Sequence, residues 1–294
     1  MKILEVDNLT RDYGSKQGIF NISFEIRKGE IVGFLGANGA GKTTTIRHLM
    51  GFLKTNNNVS IFGLDSFNDA AKIQEQIGYL AGEPVFLDNL TGIEFIDLIF
   101  RMKKLNNEDY KNELIKYWEL NSNTKISKMS KGMKQKVALV IAFMGDAPFI
   151  ILDEPTSGLD PLMQRKFVHL INKAKQEGKT ILISSHMFKE IEHTCDRILM
   201  IKDGKLVANE NLNELRNNLG KYYELSYAEG HDLSKLTLKY PGSIITGNNL
   251  SFTSKDEVKT VLKELVSPSL IDINIRPETL EEVFMKYYGD ENYE

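Results

Sequence analysis

The chain has 294 residues, with 37 basic against 40 acidic side chains and a formal net charge of -3. That length allows one large domain with a smaller companion, and 41% apolar with 26% charged residues argues for a folded globular chain and against disorder. The near-neutral balance removes a bulk electrostatic case for nucleic-acid binding. A single cysteine, Cys195, excludes an intramolecular disulfide framework and a multi-cysteine metal site, and suits a reducing compartment.

The first segment reads as β: Ile22, Phe24 and Ile26 alternate with polar residues, the period of a half-buried strand. A turn at Lys28-Gly29 leads to a continuous apolar strand over 31–35, a glycine-rich turn and a helix from 42 to about 53. The stretch from about 84 to 145 is mostly helical. It opens on a capping-box pattern, Thr91-Gly-Ile-Glu94, with Ile93, Ile96, Ile99 and Phe100 at helical spacing behind it. Further helices are predicted over 108–120 and 130–144. Strand character returns at 149–152, a four-residue apolar run ending in two acids. A helix over 161–177 stops near Gly178, and 180–183 is another apolar strand; such runs suit a parallel sheet covered on both faces. Residues 197–208 read as a hairpin turning at Asp203-Gly204.

A boundary is expected near Leu219-Gly220, giving a first domain over 1–219 and a small α+β unit over 220–294. The second part reads as a strand at 222–227, a hairpin around Gly247-Asn-Asn, a helix at 255–266, a strand at 270–275 and a last helix at 277–288. Leu280, Val283, Phe284 and Tyr287 form an apolar stripe on that helix, which core packing accounts for. A core of this size is marginal alone, so the unit is expected to dock on the first domain or on a second copy.

The opening MKILEVDNLTRDYG has no apolar core of a signal peptide. The longest apolar run, 137–145, is about half of the ~20 residues that cross a bilayer. The expectation is a chain that neither spans a membrane nor leaves by the usual export route, so that any membrane role comes through a partner.

Gly36-Ala-Asn-Gly-Ala-Gly-Lys42-Thr43 matches G-x-x-x-x-G-K-[ST] in full, after a predicted strand and before a predicted helix. Glycines let successive N–H groups turn inward toward phosphate oxygens, and the following helix adds its N-terminal partial charge. Gly36, Asn38, Gly39, Ala40, Gly41, Lys42, Thr43 and Thr44 are therefore the candidate phosphate-binding residues, with Lys42 reaching the β- and γ-phosphates and Thr43 holding Mg²⁺. Phe149-Ile-Ile-Leu-Asp153-Glu154 supplies the second half. In P-loop ATPases the aspartate at such a strand end holds Mg²⁺ and the following glutamate orients or deprotonates the attacking water.

With these pieces the chain resembles the ATP-binding subunit of an ABC transporter over about residues 1–215. Ser130-Lys-Gly132-Met-Lys-Gln135 matches the family's signature loosely, with Lys131 and Met133 standing where other residues are commoner. Ser157-Gly-Leu-Asp160 matches the D-loop, Ser184-Ser-His186 the H-loop, and Tyr13 lies where the family stacks an aromatic ring on adenine. The resemblance implies an α/β P-loop NTPase fold with an antiparallel β subdomain, a helical subdomain at about 84–145, and the small C-terminal domain besides. It also implies ATP and Mg²⁺, with Lys42, Glu154 and His186 catalytic and Thr43 and Asp153 on the metal. Ser130, Gly132 and Asp160 would close over the nucleotide of a second subunit, a copy or a paralogue. Read alone, Ser130 is an N-cap and His186 a structural histidine; for Ser130 both roles are compatible.

One position departs from the pattern. Where the family has Y-x-P-Q, this chain reads Tyr79-Leu-Ala-Gly82-Glu83, with glycine in the glutamine position. Either Glu83 takes over a contact to Mg²⁺, water or the membrane subunit, or the loop has a mechanical role alone.

The run from Tyr79 to Gly92 and the ending Arg276-Pro-Glu-Thr-Leu-Glu-Glu-Val-Phe284 resemble the bacterial antibiotic, bacitracin and lantibiotic-type exporter branch. That resemblance implies export of a hydrophobic or peptide compound through a separate transmembrane permease. It implies a cytoplasmic place at the inner face of the membrane, held there only by the permease, and no nucleic-acid partner. The alternatives are an importer ATPase or a non-transport ABC protein. Translation-factor types carry two such cassettes, and DNA-repair types a long coiled coil where this chain has only residues 44–129.

Overall fold

The computed structural model describes residues 1–54, 58–230, 233–240 and 242–288. The side chain of Tyr287, one member of the apolar stripe expected on the last helix, lies outside the described residues. The chain forms two compact units, Met1–Leu212 and a second from Asn213 onward.

The first unit begins with β1 (Lys2–Gly14) and β2 (Gln17–Arg27), paired antiparallel. With β4 (Val59–Ile61) and β5 (Leu64–Asp65) they form a four-stranded antiparallel sheet in the order β2-β1-β4-β5. Ile22, Phe24 and Ile26 are buried, as their alternation requires. A second sheet is built on β3 (Ile31–Leu35), β6 (Ile77–Leu80), β7 (Phe149–Asp153), β8 (Thr180–Ser185), β9 (Arg197–Lys202) and β10 (Lys205–Asn211). Its order is β10-β9-β3-β8-β7-β6, parallel from β9 to β6, with β10 antiparallel at the edge. All five residues of β3 and of β7 are buried, the pattern of strands covered on both faces. Between the two sheets lies one core, in which Phe24 meets Phe34 at 6.0 Å and Phe62 meets Phe149 at 6.5 Å between ring centroids.

The helix after the glycine-rich turn, α1 (Lys42–Leu49), is shorter than the sequence pattern suggests. Gly51 takes φ +71°, and a side chain there would press on the Ser66 carbonyl, so the chain turns away before 53. The strands β4 and β5 and the helix α2 (Ala70–Gln76) have no counterpart in the sequence reading. Strands of two or three residues offer too few alternations to show a period.

The helical stretch contains α3 (Gly92–Met102), α4 (Glu108–Tyr117) and α5 (Lys131–Phe143). The capping box of α3 is formed in full: Glu94 N–H donates to Thr91 Oγ1 at 3.3 Å, and Thr91 N–H donates to Glu94 Oε2 at 2.7 Å. Ser130 caps α5, accepting from Met133 N–H at 3.2 Å. Further on, α6 (Pro161–Gln176) follows β7, and the short α7 (Phe188–Ile191) follows β8. None of the described helices is long and apolar enough to cross a membrane.

The second unit holds α8 (Leu212–Asn217) at its entry, then β11 (Lys221–Tyr227), α9 (Ser234–Lys239), β12 (Ile244–Thr246), β13 (Asn249–Ser254), α10 (Val258–Leu265), β14 (Leu270–Pro277) and α11 (Leu280–Tyr288). Its antiparallel sheet runs β12-β13-β11-β14. Tyr223, Leu225, Leu250, Phe252, Val261 and Leu265 make its core. At the foot of α11, Thr279 and Glu282 exchange backbone and side-chain hydrogen bonds in a second capping box.

Candidate active site

The parallel order places the carboxyl ends of β3 and β7 on one edge of the sheet, where ligands of open α/β folds gather. The loop after β3 runs into α1 without a capping side chain, since its N-cap is Gly41 at φ 111°. That leaves the first amides of α1 unclaimed by any side chain and the helix end open to an anion. Lys42 is 5% exposed and donates to Gly36 O at 2.6 Å and Ala37 O at 3.2 Å, so its ammonium lies folded under the loop. It also forms an ion pair with Glu154 Oε1 at 3.2 Å.

Asp153 and Glu154 end β7 in different surroundings. Asp153 is fully buried, and burial pushes its carboxyl above the ordinary range against the opposing hydrogen bonds from Ser184 and Thr43. Thr43 Oγ1 donates to Asp153 Oδ2 at 3.0 Å, and Ser184 Oγ donates to Oδ1. Glu154 is a non-glycine residue at φ 50°, a conformation that costs of order 1–3 kcal/mol and needs its surroundings to hold it. Its N–H donates to Ser184 O at 3.2 Å, its carbonyl accepts from Gln135 Nε2 at 3.3 Å, and its Oε2 meets His186 Nδ1 at 2.7 Å.

A cavity of about 580 Å³ opens beside these groups, lined by Tyr13, Lys16, Gln17, Gly18, Ala37, Asn38, Gly39, Gly41, Lys42, Thr43, Thr44, Glu154, Asp203 and Gly204. That is the size range of small-molecule sites. Tyr13 is exposed, with the Arg11 guanidinium 5.3 Å from its ring centroid. Gly36 and Ala40 belong to the loop's frame, Gly36 N–H donating to Ser185 O at 3.2 Å and Ala40 O accepting from Gly204 N–H at 3.0 Å.

Glu83 is exposed and is not among the cavity's lining residues. Neither are Ser130, Gly132 and Asp160. Gly132 lies against Gly158, where an added Cβ would sit 2.6 Å from the Gly158 carbonyl oxygen. Asp160 caps α6, accepting from Leu162 N–H at 2.9 Å and Met163 N–H at 3.0 Å.

The sequence reading missed the walls. The Lys16–Gly18 turn and the Asp203–Gly204 turn line the cavity because Phe20 N–H bonds Gly204 O at 2.7 Å, tying β2 to the β9–β10 turn. The turn itself was legible; its place beside the loop follows only from the strand order β10-β9-β3. Ser184 was read as part of a motif without its role as donor to Asp153. Glu190, which accepts hydroxyl hydrogens from both Thr156 and Ser185, carried no signal at all.

A hydroxyl and a carboxylate meeting at 3.0 Å suit Mg²⁺, a hard ion that takes one or two protein oxygens and fills its shell with water and phosphate. Among the described residues no group of three or more His, Cys, Asp or Glu forms a metal cage, which that ion does not need.

A phosphate loop after the first parallel strand, paired acids after β7 and an antiparallel sheet packed on the parallel one together define a P-loop ATPase of the ABC type. Residues 19–157 match the family described as ABC transporter. The bacitracin transport ATP-binding protein BcrA of Bacillus licheniformis is 32% identical over 98% of this chain and 97% of its own length. The BcrA of Enterococcus faecalis is 30% identical over 98% and 96%. Among solved structures, an ATP-binding subunit of an ABC transporter superposes with TM-score 0.67 at 32% identity, over 74% of this chain and 92% of its own. A dimeric ATP-binding cassette in a post-hydrolysis state with ADP and Pi gives 0.64 at 26% identity, over 71% and 99%. The chain belongs to the ATP-binding subunits of ABC transporters and is an ABC-type ATPase.

Proposed function

We propose that this chain is the motor of an exporter for a hydrophobic or peptide compound, coupled to a separate transmembrane permease at the inner face of the membrane. The observation that carries the reading is the meeting of Lys42, Glu154 and His186 beside the cavity, with Thr43 and Asp153 next to them. The bacitracin-transport relatives, matched over nearly their full length, support the substrate class.

In this reading the triphosphate lies along the amides of residues 36–44, with adenine stacked on Tyr13. Thr43 and Asp153 hold Mg²⁺, which supplies charge neutralisation on the phosphates. Lys42 turns its ammonium to the β- and γ-phosphates. Glu154 takes a proton from water as the water oxygen bonds the γ-phosphorus and the bond to the β-phosphate oxygen breaks, giving ADP and Pi. His186 orients Glu154 and reaches toward the γ-phosphate. Ser130, Gly132 and Asp160 serve the nucleotide of a second subunit; their absence from the cavity of their own chain supports that division. The exposed Val85 and Leu87, on the loop after β6, suit contact with the permease.

The test is co-purification of the chain with a membrane protein from its native membranes, followed by drug accumulation in cells carrying the wild-type chain or Glu154→Gln. Greater accumulation with Glu154→Gln supports export, and lower accumulation contradicts it.

A further inference from the structure

Gly82 lies on the loop that leaves β6, where the family's pattern has glutamine. Its φ is outside the left-handed region, so its backbone angle does not demand glycine. Space does. A Cβ built on Gly82 would lie 3.1 Å from Oδ2 and 3.3 Å from Cγ of Asp153. The carboxylate has little freedom to retreat, because it is fully buried and held from two sides. Oδ2 accepts from Thr43 Oγ1 at 3.0 Å, and Oδ1 accepts from Ser184 Oγ. Making room for a Cβ asks the carboxylate to give by a few tenths of an ångström; Thr43, which lines the cavity, can follow, while the fully buried Ser184 holds Oδ1 in place.

We propose that Gly82 is a positioning residue for Asp153: the bare backbone at this position fixes where the carboxylate sits, and any side chain there, glutamine included, drives it off its place beside Thr43. The missing glutamine is then a steric requirement of this chain. The proposal rests on the reading of Thr43 and Asp153 as the Mg²⁺ pair, and it predicts that restoring the family's residue does harm.

The test compares Gly82→Ala and Gly82→Gln in the wild-type chain and in an Asp153→Ala background. In the wild-type background each variant should raise the Mg²⁺ concentration for half-maximal ATP hydrolysis about tenfold or more, the scale of losing a residue that orients a metal ligand. Each should also lower the Tm of the nucleotide-free protein. In the Asp153→Ala background, with no carboxylate to meet the new Cβ, that Tm loss should vanish. Should Gly82→Ala fail to fold in the wild-type chain, recovery of folded protein in the Asp153→Ala background reads the same coupling. Equal Tm losses in both backgrounds, or wild-type Mg²⁺ half-saturation in either variant, would overturn the proposal. Failure of the Mg²⁺ reading is separately visible: Asp153→Ala alone would then leave the Mg²⁺ half-saturation of ATP hydrolysis at its wild-type value, while the thermal cycle would still report on Gly82 and Asp153.

Discussion

His186 Nδ1 lies 2.7 Å from Glu154 Oε2, so the loop after β8 holds the acid at the end of β7 by a single side-chain contact. The other oxygen of the same carboxylate faces the Lys42 ammonium at 3.2 Å. One strained residue is thus fixed between an imidazole and a buried cation. The role proposed for Glu154, a general base, needs such fixation, because its contribution depends on reaching one proton in one geometry.

Replacing His186 with alanine removes the contact and leaves the phosphate loop intact. Single-turnover hydrolysis is expected to fall by about a hundredfold, the lower end of what a positioned proton-transfer group contributes. ATP affinity should stay near wild type. A matching loss of affinity would mean that His186 serves binding instead.

Lys42→Ala should show the opposite division. In the proposed function the ammonium turns from the Gly36 and Ala37 carbonyls to the phosphates, and losing one charged hydrogen bond costs about 1.5–3 kcal/mol. ATP binding measured by calorimetry should therefore weaken by at least about tenfold. Unchanged affinity would count against the phosphate site.

Asp160→Ala tests a role the geometry displays in the isolated chain. The carboxylate accepts from two amides at the start of α6. Losing such a cap costs about 1 kcal/mol, which at this size lowers Tm by roughly 2–4 °C. A calorimetric scan without nucleotide measures it; an unchanged Tm would contradict a stabilising cap.

The second unit carries a pH signature. Arg276 donates to both oxygens of Glu282, and with Thr279 this holds the Glu282 carboxyl at about 2, below its ordinary 4.5. The ionised form therefore stabilises α11 above pH ~4.5, and the contribution is lost as pH falls toward ~2. The Tm advantage of wild type over Glu282→Gln should shrink across that window. A difference constant from pH 6 to pH 2, on the order of the whole window, would contradict the assignment.

Much of the candidate site was legible because its motifs are local. Residues 36–43 carry their glycines, lysine and threonine in one run, and Phe149 to Glu154 carry strand and acids in another. Thr91 and Glu94 announced their capping box by spacing alone. What stayed hidden depends on contacts distant in sequence. Ser184 meets Asp153 across neighbouring strands, Gly204 meets the phosphate loop through the edge of the sheet, and Glu190 joins the hydroxyl of Thr156, after β7, to that of Ser185, at the end of β8. Gly82 was visible as a departure, but only the built geometry shows what its missing side chain would strike.

Glu154→Gln keeps the shape of the side chain and removes the base, so one variant addresses the proposed chemistry and the shared site together. With Mg²⁺ and ATP, the purified variant should bind nucleotide near wild-type affinity, lose turnover by at least about a hundredfold, and elute as an ATP-dependent dimer where the wild-type chain does not accumulate one. Turnover at the wild-type rate would contradict Glu154 as the base and, with it, the account of the site.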